Sequence, residues 1–267
     1  MLDSYSGATR LHVIIGDPIA QVKAPGGLTR EFGKRGRDWI VVPLQLTTAD
    51  VGAGLSVLSR ARNVDGLIAT VPHKFALASH CATLSDRAGF LGAANVARRN
   101  ADGSWHGDML DGEGFTDAAA RVGCRMQGAR ALLIGAGGAG SAIALSLLDR
   151  GVAKLAIHDI DTDRRAALLA KLADRFGDRV GQTTGDASNV DLLVNATPMG
   201  MRADDPLPLD IARLDAATFV GDVITVPEIT PLLAAARERG CAIQTGIGMF
   251  ESNIGLMADF FEGGASQ

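Results

Sequence analysis

Short apolar runs of strand length alternate with stretches of helical spacing along the whole chain. This alternation of strand and helix predicts an α/β architecture. In the N-terminal part, the predicted strands are Leu11–Ile15, Trp39–Val42, Gly66–Ala69 and Ala94–Ala97. The predicted helices of this part are Gly27–Arg35, Ala49–Ala61, Phe75–Cys81, Asp86–Gly89 and Asp111–Arg121, and a turn is predicted at Asn100–Gly103.

A sharper pattern begins at about Gly128. The predicted strands here are Ala129–Ile134, Lys154–His158, Asp191–Asn195 and Phe219–Val223, and the predicted helices are Ser141–Arg150, Thr162–Phe176 and Pro231–Arg239. Repeated βαβ units with polar residues at the strand ends are typical of a doubly wound dinucleotide-binding sheet. The amphipathic segment Gly248–Phe261 predicts a last helix, which we expect to return to the first part of the chain.

Composition and charge exclude several classes of protein. The net charge is −4 without a run of like charges, so no nucleic-acid partner is expected. The three cysteines are odd in number and far apart, which excludes a disulfide framework and a zinc site, and no metal site is predicted. The apolar runs are far too short to span a bilayer. We therefore expect a cytoplasmic globular protein, monomeric or homodimeric, that binds a small-molecule substrate and no membrane.

A glycine-rich turn lies between the first apolar strand and helix of the second part, in the string ALLIGAGGAGSAIALSLL. Its Gly135, Gly137 and Gly140 fit the G-x-G-x-x-G pattern that permits a tight turn, close approach to a pyrophosphate and close helix packing. The free N–H groups of the following helix would face the phosphates. We expect the whole loop to bind a dinucleotide: Gly135, Ala136, Gly137, Gly138, Ala139 and Gly140. An ordinary glycine turn is the alternative.

Asp159 closes the next predicted strand, close to the ~20-residue spacing at which a carboxylate binds the adenosine ribose. A carboxylate at this place accepts hydrogen bonds from ribose hydroxyls and repels a 2′-phosphate, which favours NAD, with NADP as the alternative. Ile160 and Arg164 follow as candidate cofactor contacts. The other interpretation is a solvated acidic turn, since Asp161 and Asp163 stand in the same stretch.

Eight segments occur in an order that resembles the shikimate dehydrogenase family, including its quinate/shikimate branch, over nearly the whole chain. They are IIGDPIAQVKAP, TVPHK, LGAANV, GDMLDGEGF, the glycine turn, LLVNATPMGM, GDVITVPEITPLL and TGIGM. The resemblance implies an N-terminal α/β substrate domain and a doubly wound Rossmann domain with a cleft between them. It assigns residues 1–110 to substrate binding and catalysis, joined by the C-terminal helix 248–267, and residues 111–247 to NAD binding.

The resemblance also assigns the catalytic pair to Lys74 and Asp111. Oxidation of a secondary alcohol needs a base that takes the hydroxyl proton while hydride leaves to the nicotinamide, and a Lys–Asp pair can supply that base. Short-chain dehydrogenases use a Tyr-x-x-x-Lys pair instead, which is excluded here because the single tyrosine, Tyr5, has no lysine four residues later. A plain Lys–Asp salt bridge remains the alternative.

Further contacts follow from the same resemblance. Thr70 and Asn95 match substrate contacts of the family. On the cofactor side, one loop beside the nicotinamide half is expected from Asn195, Ala196, Thr197 and Met199. The nicotinamide ring itself would be flanked by Val223 and Gly246, and Met249 is a further cofactor contact.

The departures from the family pattern lie in the expected substrate site. Two serines that bind the substrate carboxylate are replaced by Val22 and Ala24, a tyrosine by Thr225, and a glutamine by Asn253. An asparagine ahead of Thr70 is replaced by Ile68, and an Asn-Thr pair by Met109-Leu110. Because two hydroxyl donors are lost, activity on shikimate or quinate should be weak unless other donors replace them; the candidates are Gln21, Lys23 and His73.

These features predict an NAD-linked oxidoreductase that transfers hydride between a secondary alcohol of a hydroxylated cyclic acid and the nicotinamide. Two alternatives remain from the sequence. One is a dinucleotide-binding sensor without turnover. The other is a related two-domain dehydrogenase that acts on a different small polar substrate.

Overall fold

The computed structural model describes residues 5–202 and 204–263. The chain forms two compact units. The first unit runs to Leu110 and takes in the chain again from Asn253, and the second is Asp111–Ser252.

The first unit is built on a six-stranded mixed sheet. Its strands are β1 Arg10–Gly16, β2 Trp39–Gln45, β3 Val64–Ala69, β4 Thr83–Leu84, β5 Val96–Arg99 and β6 Trp105–Asp108, in the order β2-β1-β3-β5-β6-β4. Strand β1 is parallel to β2 and β3, whereas β5 is antiparallel to both β3 and β6. Its helices are α1 Ala24–Lys34, α2 Val51–Arg60, α3 Lys74–His80 and α4 Asp86–Leu91.

The core of the first unit explains why its central strands are continuously apolar. Val13, Ile15 and Leu67 are buried in β1 and β3, and Leu77 of α3 packs in the same cluster. Buried strands of a parallel sheet carry apolar residues at successive positions because helices cover both faces. Helix α1 begins at Ala24, three residues before the predicted start, because proline is tolerated within the first turn of a helix.

The second unit is a six-stranded sheet in which all pairs are parallel. Its strands are β7 Arg130–Ile134, β8 Lys154–His158, β9 Val180–Gln182, β10 Leu192–Asn195, β11 Phe219–Asp222 and β12 Ile243–Gln244. Its helices are α5 Asp111–Arg121, α6 Gly138–Asp149, α7 Thr162–Phe176 and α8 Pro231–Glu238, and α9 Gly246–Glu262 begins here. The order β12-β11-β10-β7-β8-β9 is that of a doubly wound sheet, which confirms the predicted fold class.

The pattern of apolar residues did not predict four of the strands, which are β4, β6, β9 and β12. Strand β6 has the sequence WHGD and forms because β5 pairs with it, Val96 opposite Asp108 and Arg99 opposite Trp105. The same pairing moves β5 to Val96–Arg99, two residues beyond the predicted strand. These strands are short and polar, so partner strands, rather than their own periodicity, hold them in place.

A buried histidine lies in the first unit. The ring of His12 on β1 is 1% exposed, and its centroid lies 4.7 Å from that of Phe32, 5.0 Å from that of Trp39 and 4.5 Å from that of Phe261. Burial lowers the pKa of His12 from 6.5 to about 4. The folded protein therefore holds His12 neutral at pH values where the unfolded chain binds a proton.

This histidine makes stability depend on pH. Because its folded pKa is depressed, its contribution is fully present above pH 6.5 and is lost as the pH falls towards 4. We expect the free energy of unfolding to fall by about 2 kcal/mol between pH 7 and pH 5 from this group alone. Urea unfolding of the wild type and of His12→Phe at both pH values checks this. An equal pH slope in the two proteins would show that His12 is not responsible.

Candidate active site

The predicted substrate residues of the first unit lie at one edge of its sheet. Ile15 pairs with Ala69, Ile68 with Val96, and Val96 with Asp108. The carboxyl ends of β1, β3 and β6 therefore meet the amino end of β5. The segments that leave this edge carry Val22, Ala24, Thr70, Lys74 and Asn95.

Lys74 is the first residue of α3 and is only 9% exposed. Its carbonyl oxygen accepts a hydrogen bond from the N–H of Ala94 (3.0 Å), which joins the start of α3 to the residue before Asn95. The neighbouring His73 is buried, and its ring Nε2 donates to the carbonyl oxygen of Leu46 (2.7 Å). Because Nε2 already donates to a backbone carbonyl, it does not take the place of the serine hydroxyls that are missing at positions 22 and 24.

Asn95 is buried and links three segments of this edge. Its N–H donates to the carbonyl oxygen of Asp108 (3.0 Å), and its own carbonyl oxygen accepts from the N–H of Ala69 (2.8 Å). Its side-chain Oδ1 accepts from the N–H of Leu110 (2.8 Å). Asn95 therefore holds Leu110, the residue that directly precedes Asp111. The sequence predicted only a substrate contact for Asn95 and not this structural role.

Asp108 is a residue that sequence reasoning missed. Arg87 donates to both of its carboxylate oxygens (2.8 and 2.7 Å), Ser85 donates from Oγ, and the N–H of Met109 donates to Oδ1 (2.7 Å). Burial raises the pKa of Asp108, but the hydrogen bonds from Arg87 and Ser85 outweigh burial and hold it below the ordinary value. Asp108 thus fixes the turn from β6 into α5. Its place inside GDMLDGEGF, the segment that also carries Asp111, was the available signal.

The residues at the altered positions differ in burial. Val22 is half-buried in the turn after β1, and Ala24 is buried at the start of α1. Gln21, a candidate replacement donor, is exposed, and its Nε2 donates to the carbonyl oxygen of Pro18 (2.9 Å). Asn253 is buried in α9 and belongs to the first unit, whereas Thr225 is half-buried in the loop after β11 of the second.

Asp111, the first residue of α5, belongs to the second unit, whereas Lys74 belongs to the first. Helix α5 crosses α6 closely at Gly112, where a Cβ atom would lie 2.3 Å from the carbonyl oxygen of Ala142. One turn later on α5, Phe115 packs on Gly221 of β11, where a Cβ would lie 2.6 Å from the ring. Asp111 is therefore held against the helix that follows the glycine turn.

The glycine turn joins β7 to α6 and leaves open space on one side. Gly135 has a φ of +102°, which favours glycine, and a Cβ on Gly140 would lie 2.0 Å from the carbonyl oxygen of Gly135. In contrast, a Cβ on Gly137 would meet no atom within 4 Å. Helix α6 begins at Gly138, so its first N–H groups, which lack partners within the helix, come from the turn itself. A tight turn with an open side fits a pyrophosphate group.

Asp159 follows β8 and is buried beside this turn. Its Oδ2 accepts from the N–H of Ala136 (2.7 Å) and its Oδ1 from the N–H of Asp161 (2.8 Å). The guanidinium of Arg164 lies 3.0 Å from Asp161 and 3.9 Å from Asp159, so acidic groups offset its charge. Ile160 is 94% exposed, the most exposed of the large apolar side chains that the structure describes.

The loop after β10 lies against the glycine turn. A Cβ on Gly135 would be 2.9 Å from the backbone carbon and oxygen of Ala196. Asn195 is fully buried, and protein groups use all four hydrogen-bonding positions of its amide. The side chain of Asn195 therefore shapes this loop from within, while Thr197 and Met199 are half-buried.

Three further predicted cofactor residues lie near the end of β11 or in the first turn of α9. The N–H of Val223 donates to the carbonyl oxygen of Asn195 (3.1 Å). A Cβ on Gly246 would lie within 2.5 Å of the backbone of Val223 and Ile224, so only glycine fits there. Met249 is buried one turn later.

Comparison with known proteins identifies the family. Residues 14–97 match the model of the shikimate dehydrogenase substrate binding domain. The chain is also 35% identical over 246 residues to the shikimate dehydrogenase (NADP(+)) of Rubrobacter xylanophilus, which covers 90% of this chain and 86% of the relative. The chain belongs to the shikimate dehydrogenase family. This confirms the resemblance inferred from the eight segments.

Two solved structures of the shikimate dehydrogenase family superpose on nearly the whole chain. The quinate dehydrogenase from Corynebacterium glutamicum, in complex with NAD, has a TM-score of 0.85 and 29% identity and covers 96% of this chain and 94% of its own. The shikimate 5-dehydrogenase from Thermus thermophilus, in complex with NADP(H) and shikimate, has a TM-score of 0.85 and 26% identity, with 95% and 94% covered. The protein is thus an oxidoreductase that acts on CH–OH groups with a nicotinamide dinucleotide.

Within the described residues, no helix is long and apolar enough to cross a bilayer.

Proposed function

We propose that this protein transfers hydride between a secondary alcohol of a hydroxylated cyclic acid and NAD, with Lys74 and Asp111 as the acid–base pair. The observation that carries the proposal is that each of these two charged side chains is buried at the first position of a helix. Lys74 starts α3, Asp111 starts α5, and hydrogen bonds through Ala94, Asn95 and Leu110 brace the segments that lead to them. Packing of the sheet does not require a charged side chain at either position. Buried charged side chains are rare unless they have a partner or a chemical role, so their burial here supports a functional role.

In the oxidative direction, Lys74 takes the proton of the substrate hydroxyl as the C–H bond breaks, and in the reductive direction it returns that proton. Asp111 orients the ammonium group and balances its charge. The dinucleotide, when bound, accepts or supplies the hydride. Thr70 and the amide of Asn95 are the proposed partners of neighbouring hydroxyls. The glycine turn, the loop after β10 and residues Val223, Gly246 and Met249 are the proposed cofactor site.

The preference for NAD rests on charge near the end of β8. Asp159, Asp161 and Asp163 follow β8 in the chain, where we propose that the adenosine ribose binds, and Arg164 is already paired with Asp159 and Asp161. A dianionic phosphate close to these carboxylates costs free energy because Arg164 balances only part of their negative charge, whereas ribose hydroxyls can donate to Asp159. The exposed Ile160 carries no charge that could offset a phosphate.

The substrate proposal takes account of Val22 and Ala24. Where relatives bind a carboxylate through hydroxyl groups, this chain presents apolar side chains, so we propose a preferred substrate other than shikimate or quinate, with weak activity on both.

The three cysteines are free thiols, which agrees with the proposed cytoplasmic location.

The function is tested with the wild-type protein and a panel of shikimate, quinate and related cyclic hydroxy acids and polyols, each with NAD and with NADP. We expect reduced dinucleotide to form with at least one member of the panel, and kcat/KM to be at least about tenfold higher with NAD than with NADP. Because the two dinucleotides differ only at the 2′-position, each serves as the control for the other. Binding of dinucleotide without turnover on any member would favour the sensor, and equal rates with both dinucleotides would contradict the role of Asp159.

A further inference from the structure

Asp222, the last residue of β11, is fully buried and accepts hydrogen bonds on both carboxylate oxygens. Its Oδ1 accepts from the N–H of Ile224 (2.9 Å), and its Oδ2 accepts from Nδ2 of Asn195 (3.1 Å) and from Oγ1 of Thr230 (2.8 Å). These three partners donate hydrogen bonds that favour the ionised carboxylate, which can only accept, whereas burial acts against it and raises the pKa of Asp222 above its ordinary value. Thr230 also caps α8 by accepting from the N–H of Leu233.

The carboxylate and two backbone groups together fix which way the amide of Asn195 faces. The two ends of an asparagine amide are nearly the same shape, and their order follows from the hydrogen bonds around them. Since Asp222 only accepts, Nδ2 of Asn195 must face it, and this places Oδ1 towards the N–H (3.1 Å) and Oγ1 (2.7 Å) of Thr197. The second hydrogen of Nδ2 then reaches the carbonyl oxygen of Met199 (3.1 Å). A reversed amide would set oxygen against carboxylate and Nδ2 against an N–H.

The loop that this amide holds packs directly on the glycine turn. The backbone of Ala196 lies 2.9 Å from where a Cβ on Gly135 would be, and its side chain lies 3.4 Å from where a Cβ on Gly140 would be. The N–H of Ala196 donates to the carbonyl oxygen of Ile134 at the end of β7 (2.8 Å). One buried carboxylate thus connects the end of β11, the loop after β10 and the start of α8, beside the turn proposed to hold the pyrophosphate.

We infer that Asp222 is a positioning residue for the cofactor: it acts through Asn195 to hold the loop 195–199 in the shape that receives the nicotinamide half of the dinucleotide. Asp222 itself has no exposed surface with which to touch a ligand. The inference rests on the proposed function, which assigns this loop to the cofactor.

The test is the substitution Asp222→Asn in the full chain, with binding of NAD and of AMP measured by titration calorimetry. The introduced amide keeps the size of the side chain but must turn its NH2 either towards the N–H of Ile224 or towards Asn195 and Thr230, all of which donate to Asp222. The amide of Asn195 then loses the acceptor that faces its Nδ2. We expect the Kd for NAD to rise about 10- to 100-fold, while the Kd for AMP, which lacks the nicotinamide half, stays within about twofold of the wild type. Steady-state kinetics should show the larger change in KM for NAD and the smaller one in kcat.

Two further variants keep the test decisive if Asp222→Asn folds poorly. Asn195→Asp places a second carboxylate against Asp222 and should weaken NAD in the same way. The double variant Asn195→Asp/Asp222→Asn restores a donor facing an acceptor with the polarity reversed, and should recover part of the NAD affinity. Thr230→Ser, which keeps the hydroxyl, is the matched control and should bind NAD as the wild type does.

The results separate this inference from the proposed function. A wild type that binds neither NAD nor NADP overturns the proposed function itself. A wild type that binds NAD, together with variants that melt at lower temperature but keep the wild-type ratio of NAD to AMP affinity, would leave Asp222 a purely structural residue and overturn the inference alone. Equal weakening of NAD and AMP would also overturn it, because the effect would then not be confined to the loop.

Discussion

Lys74→Met is expected to lower kcat for the best substrate of the panel by about 10²–10⁴-fold, the usual loss when a general acid–base group is removed. Methionine nearly matches the length and volume of the lysine stem, so the buried position at the start of α3 stays filled. The Kd for NAD should stay unchanged, because the proposed cofactor residues are other groups. Stopped-flow or steady-state formation of NADH, with the melting temperature measured alongside, checks this.

Lys34→Met is the matched control for this prediction. Lys34 lies in the last turn of α1 with its side chain largely exposed, so its loss should leave kcat within about twofold of the wild type. Asp111→Asn should reduce kcat as well, and the double variant should lose little more than Lys74→Met alone, because residues that act as a unit are not additive. Full activity in Lys74→Met would remove the catalytic assignment and leave this lysine a structural residue.

The double substitution Val22→Ser/Ala24→Ser is expected to raise kcat/KM for shikimate and quinate by about 10²–10⁴-fold. Each restored hydroxyl can donate one hydrogen bond to a carboxylate, worth about 1.5–3 kcal/mol when the acceptor is charged. The substrate carboxylate does not change during hydride transfer, so both hydrogen bonds act equally in the ground and transition states. The gain should therefore lie in KM, with kcat little changed.

Val22→Cys/Ala24→Cys is the size-matched control, because a thiol has nearly the shape of a hydroxyl but is a weak donor. It should leave KM close to the wild-type value. The methyl ester of shikimate supplies a second control, since it lacks the charged acceptor and should gain little from the serines. Unchanged KM for the free acids in the serine variant would show that neither position 22 nor position 24 faces a substrate carboxylate.

Local sequence was sufficient for the elements whose pattern is strong. The helix Asp111–Arg121, the strand Lys154–His158 and the helix Thr162–Phe176 have the predicted bounds. Apolar periodicity and an N-cap such as Asp161, which accepts from the N–H of Arg164, act within a few residues and can be read without the rest of the chain. Strand β6 could not be predicted in this way, because its sequence WHGD becomes a strand only through pairing with β5.

The same distinction between local and distant partners decides which polar residues of the site could be identified from the sequence. Glycine spacing and the acid after β8 were readable because a turn and its flanking strand are one local unit. The roles of Asn95, Asp108 and Asp222 were not, because each depends on partners distant in sequence: Asn95 on Leu110, Asp108 on Arg87, and Asp222 on Asn195. Hydrogen bonds between such residues exist only once the sheets have formed.

The sequence by itself determined the α/β class, the glycine turn between β7 and α6, the family and the candidate pair Lys74 and Asp111, because motif order and periodicity are properties of the chain. Only the tertiary structure decided that the side chain of Asn195 is buried and hydrogen-bonded within the protein, that Nε2 of His73 donates to a backbone carbonyl, and that Asp222 accepts from Asn195. The physical reason is that burial and the direction of a hydrogen bond are set by neighbours in space, and parallel strands bring those neighbours together from segments far apart in the sequence.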